Sequence, residues 1–144
     1  MKIIVLVILN TFIGTQFQDY DNMLDLCVKM EWHISNEIPP EEDCVHDFLA
    51  KYITIGNNVE YGEWANEILF ALLEHFPKQT IIAMSNLNKQ QKDAILVELS
   101  NPINDGIDIY VIYRQLNSCE FKSAKHVHML DRIKTILSSL YTTG

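Results

Sequence analysis

At 144 residues the chain has the common size of one domain and leaves no room for two independent cores. Its 48% hydrophobic and 21% charged residues exclude a disordered or fibrous protein, and five glycines with four prolines exclude a low-complexity linker. A formal net charge of −8 repels phosphate backbones, which excludes nucleic acid as an expected partner and favours a basic protein.

In chain order, the first fourteen residues read MKIIVLVILNTFIG, a single positive charge at Lys2 followed by an apolar run. This pattern predicts a secretory signal over residues 1–16 and a single helical domain over 17–144, placed in the periplasm or secreted. The run is shorter than the roughly 20 apolar residues that cross a bilayer, and no later segment is long and apolar enough, so no membrane insertion of the mature chain is expected. A first strand buried on both faces is the alternative reading of Ile3 to Leu9.

Residues 24–34 alternate between apolar and polar, as a strand does, yet Tyr20, Met23, Leu24, Cys27, Met30 and Ile34 also recur at helical spacing. Helix is preferred, because Leu, Met, Lys and Glu favour it and an eleven-residue strand exceeds the usual five or six. Pro40 followed by Glu41, Glu42 and Asp43 predicts a helix start, with proline in the first turn and carboxylates at the positive end of the dipole; this helix should reach about Tyr52. From Glu60 to Phe76 the residues Tyr61, Trp64, Ala65, Ile68, Leu69, Leu72, Leu73 and Phe76 mark one helical face, and Pro77 stops it.

A further helix is predicted over 78–87, and another from Asn88 to Leu99, opened by Asn88 with Gln91 in the manner of a capping box and ended at Asn101–Pro102. Residues 107–113, IDIYVIY, are β-branched and aromatic like a strand, but Asp105–Gly106 before them can turn the chain into a helix. Met129, Leu130, Ile133, Ile136, Leu137 and Leu140 stripe a last helix from about Ala124 to Tyr141. The expected fold is all-α, a compact bundle or stack of about six short antiparallel helices. An α+β fold with strands near 24–34 and 107–113 is the alternative.

Three cysteines permit at most one internal disulfide. Cys27 and Cys44 flank the Pro39–Pro40 turn, and an exported protein would favour their bond; three buried free thiols are the alternative. Their spacing matches no zinc pattern.

Charge is the most informative feature. Between Phe17 and Phe76 thirteen acids face two bases, whereas from Pro77 onward eight bases face six acids. The expected partner-binding residues are Glu41, Glu42 and Asp43 at one helix start and Glu60, Glu63 and Glu67 along the next, where residues about a turn apart form a ridge beside Trp64. Trp64 itself is expected to be structural. Exposed acids of this kind speed encounter with a cationic partner.

Catalytic, cofactor and metal signals are thin, and no cofactor or metal is expected. His126 and His128 lie two apart, on divergent sides of a helix; Glu74–His75 lacks the second histidine of a zinc-protease helix; Asn104, Asp105, Gly106 and Asp108 miss most positions of a calcium loop. The expected function is therefore not enzymatic. It is an exported acidic helical protein-binding module, an inhibitor or immunity-type protein for a basic partner, by analogy with small acidic bacterial proteins of that kind. A helical carrier of a small apolar ligand is the alternative: in length, leader and acidity the chain is similar to insect odorant-binding proteins, which carry six cysteines where this chain has three.

Overall fold

The computed structural model describes residues 21–55 and 59–142. Among the described residues every regular element is an α-helix: α1 over 21–35, α2 Glu42–Ile55, α3 Val59–His75, α4 Pro77–Asn86, α5 Lys89–Leu99, α6 Ile109–Asn117 and α7 Ala124–Thr142. The chain is thus all-α, and the segments 24–34 and 107–113 are helical rather than stranded. The predicted signal segment 1–16 lies outside the described residues.

In α1, Met23, Cys27 and Met30 are fully buried at helical spacing, so tertiary burial selects the three-and-four period over the period of two. The helix closes with a Schellman motif. Glu37 takes a left-handed φ of 54°, Ile38 N–H donates to His33 C=O at 3.1 Å and Glu37 N–H donates to Ile34 C=O at 3.2 Å. Pro39 and Pro40 follow, so Pro40 stands ahead of α2 instead of inside its first turn. The acids Glu42 and Asp43 do occupy that turn. The helix runs three residues past Tyr52: Ile53 packs against the core, and Thr54 Oγ1 bonds back to Ala50 C=O at 2.9 Å.

α3 and α4 are joined through Phe76 alone. Pro77 ends the first helix and also begins the next at its first position, where a missing N–H costs nothing. α4 is the central element, packing on α2, α3, α5 and α7 and burying Thr80, Ile81, Ala83, Met84 and Ser85. Its buried hydroxyls are satisfied by backbone: Thr80 Oγ1 donates to Phe76 C=O at 2.8 Å and Ser85 Oγ to Ile82 C=O at 2.7 Å. α5 opens with a complete capping box, Asn88 Oδ1 accepting from Gln91 N–H at 2.9 Å while Asn88 N–H donates to Gln91 Oε1 at 3.0 Å. The IDIYVIY segment becomes α6 because Asp108 caps it, its Oδ1 accepting from Val111 N–H at 3.1 Å. α7 lies on α4, α5 and α6 with Met129, Leu130, Ile133 and Leu137 buried.

One core runs through these helices, with Phe48, Leu49, Leu69, Phe70, Leu72 and Ile81 among its largest fully buried side chains. Asn66 on α3 is its buried amide. Its Oδ1 accepts from Ile103 N–H at 3.2 Å, and its Nδ2 lies 3.4 Å from the carbonyls of both Glu98 and Asn101, so the loop between α5 and α6 is tied to α3. Beside it Tyr52 donates its phenol to Glu98 Oε2 at 2.7 Å.

Candidate protein-binding site

α1 fixes the geometry of the acidic side. Its inner face is buried through Met23, Cys27 and Met30. On one flank Leu26 lines an open groove of about 520 Å³ with Asp47, Ala50 and Thr54 of α2, and Lys29 Nζ donates to Cys44 Sγ of α2 at 3.0 Å. On the other flank Glu31 Oε1 accepts the indole N–H of Trp64 on α3 at 2.6 Å. Between those flanks lies an outward arc carrying Leu24, Val28 and Trp32, which are 38%, 52% and 52% exposed. Asp21 and Asp25 are exposed on the same arc, since residues four apart turn only about 40° around a helix.

The acids expected to bind a partner are placed as follows. Glu41, Glu42 and Asp43 are exposed at the start of α2, joined by Asp47 one turn on. Glu63 and Glu67 are exposed on α3, but Glu67 Oε1 also accepts from Asn104 Nδ2 at 2.8 Å and so helps hold the α5–α6 loop. Glu60 belongs to α3, and its side chain lies outside the described residues. Trp64 is half-buried and packs against the core, and its bond to Glu31 brings an α1 carboxylate beside the α3 ridge. Glu31, Asp21, Asp25 and the apolar arc were missed by sequence reasoning, which placed Leu24 on the inner stripe. Aligning Leu24, Val28 and Trp32 at intervals of four was the signal available.

The expected Cys27–Cys44 disulfide is not formed; Cys27, Cys44 and Cys119 are all free thiols. Cys27 points into the core, whereas Cys44 sits half-exposed against Lys29, two residues further along α1 and therefore about 200° around it. Burial, with a smaller contribution from the Glu31 charge, pushes the Cys27 thiol up to about 12. Burial also raises Cys119. The contact with Cys44 raises the Lys29 ammonium.

The second half of the chain has a different character. Asp93 on α5 is held low by Lys89 at 2.8 Å and Arg132 of α7 at 3.2 Å. Tyr110, Tyr113 and Tyr141 meet edge-on at the α6–α7 end, with Arg114 over the Tyr110 ring and Lys134 over the Tyr113 ring. His126 stacks edge-on against Phe121. Among the described residues no group of three or more His, Cys, Asp or Glu side chains could hold a metal ion, and no helix is long and apolar enough to cross a membrane. The groove beside α1 and a smaller one of about 280 Å³ at Arg114, Gln115 and Ser118 are both open and largely polar.

No protein-family model matches the chain, nor does any curated protein or solved structure.

Proposed function

We propose that the protein is an exported acidic binding module that engages a basic protein partner through α1, α2 and the start of α3, in the manner of an inhibitor or immunity-type protein. The observation that carries this reading is the exposure of Asp21, Asp25, Glu31, Glu37, Glu41, Glu42, Asp43, Asp47, Glu63 and Glu67 on a half of the molecule with two lysines. Such a surface raises the encounter rate with a cation-rich partner and rejects anionic ones. Affinity through the acids alone is modest and falls with salt, because exposed charges are screened within about 10 Å at ordinary ionic strength. Export rests on the Lys2-led apolar run, and the intact mass of protein from its native host tests it: loss of residues up to about position 16 is expected, and a retained Met1 or Lys2 counts against it.

The binding reading is tested with a variant reversing Glu41, Glu42, Glu63 and Glu67 to Lys. All four are exposed, so the helical circular dichroism should stay that of wild type. Capture of a basic partner should be lost. Equal capture at low salt by the reversed variant reduces the acidic face to an aid to solubility.

A further inference from the structure

The outer arc of α1 combines an apolar ridge with fixed negative charge. Leu24, Val28 and Trp32 follow one another every four residues and make a ridge about 12 Å long, at 1.5 Å per residue. Single exposed apolar side chains are ordinary on a protein surface, but three in line on the side of a helix that meets neither α2, α3 nor the core form a contiguous strip. Asp21 and Asp25 stand within the same arc, and Glu31 borders it, its carboxylate held in place by the Trp64 indole.

We propose that this strip is the docking site of a cationic amphipathic helix, one whose single apolar ridge is bordered by lysine or arginine. The inference rests on the reading of the protein as a module for a basic partner, and it adds the surface and the shape of what binds there. A helix ridge is complemented by the ridges and grooves of a second helix, at an interaxial distance of about 8–10 Å. The carboxylates then choose among helices. A purely apolar segment would strip water from Asp21 and Asp25 without pairing them, which is unfavourable. A second copy lying α1 against α1 would bring like charges together. A segment with basic flanks pairs both acids while covering the strip, with Trp32 as its aromatic anchor.

The test uses the full chain and three synthetic peptides: a leucine–lysine sequence patterned as an amphipathic helix, the same composition scrambled, and a leucine–glutamate counterpart. The patterned lysine peptide should bind, more weakly as salt rises, and the other two should bind roughly tenfold or more weakly. Substituting Leu24, Val28 and Trp32 together by Ser should cost the lysine peptide roughly tenfold or more in affinity, the scale of losing an interface anchor. A second variant, Asp21→Lys with Asp25→Lys, keeps the ridge and should shift preference to the glutamate peptide. If the ridge variant binds like wild type while reversal of Glu41, Glu42, Glu63 and Glu67 abolishes binding, the basic-partner reading stands and the α1 site is overturned. If no cationic peptide or protein binds any version of the chain, both fail. A wild-type dimer dissolved by Trp32→Ser assigns the strip to a second copy and also overturns the proposal.

Discussion

Asn66 is fully buried, and its amide joins three elements by accepting from Ile103 N–H and donating toward the Glu98 and Asn101 carbonyls. Asn66→Ala leaves those groups without a partner in a dry environment, so a loss of about 1–3 kcal/mol is expected. Urea unfolding measures it, and a midpoint equal to wild type would mean that the α5–α6 loop is held by other contacts. Cys27 makes a prediction of a different kind. Its thiol ionises at about 12 in the folded protein against an ordinary 9.0, so only the unfolded chain gains by ionising it at intermediate pH. Its contribution to stability is therefore complete below about pH 9 and is lost as pH rises toward about 12. Cys27→Ala should decline less steeply over that range than wild type in unfolding midpoints at stepped pH. Equal slopes would show that this thiol is not the titrating group. Tyr52, raised first by burial and then by its bond to Glu98, remains in both proteins and sets the residual slope.

At the scale of elements, the capping box of α5 is the clearest local signal. Asn88 and Gln91 satisfy each other's backbone N–H groups as their spacing predicts, and Asn88→Ala should cost about 1 kcal/mol in thermal or urea unfolding. A change below a few tenths of that would show that tertiary packing alone sets the start of the helix. The same kind of local evidence made α3 and α7 legible from their apolar stripes, with boundaries shifted by only a residue. It was weaker where two periods competed. Residues 24–34 satisfied both strand and helix patterns, and only the burial of Met23, Cys27 and Met30 separates them. The IDIYVIY segment carried strand propensity, and the Asp108 cap, a single oxygen on Val111 N–H, accompanies its helical state. The disulfide expectation failed for a reason of direction. Sequence proximity across the Pro39–Pro40 turn says that two segments are neighbours, but not which side of each helix a cysteine occupies. Cys27 faces inward while Cys44 meets Lys29. The same blindness to direction hid the α1 arc, since the outward turn of Trp32 is fixed by where α2 and α3 grip the helix.

At the scale of the whole molecule, the charge asymmetry in the sequence becomes a division of surface. The acids of α1 to α3 are largely exposed, whereas in the second half Asp93 is paired with Lys89 and Arg132, and the α6–α7 end presents tyrosines under Arg114 and Lys134. A surface divided in this way steers a cationic partner toward one side, and its effect should be strongest at low ionic strength. The measurement that bears most directly on this account compares affinity capture, from the native source, by wild type and by the variant with Glu41, Glu42, Glu63 and Glu67 reversed to Lys. The account predicts that wild type retains a basic protein that salt elutes, and that the reversed variant, with unchanged helical circular dichroism, does not retain it. Retention of the same protein by both, or a wild-type partner that is acidic and insensitive to salt, would contradict it.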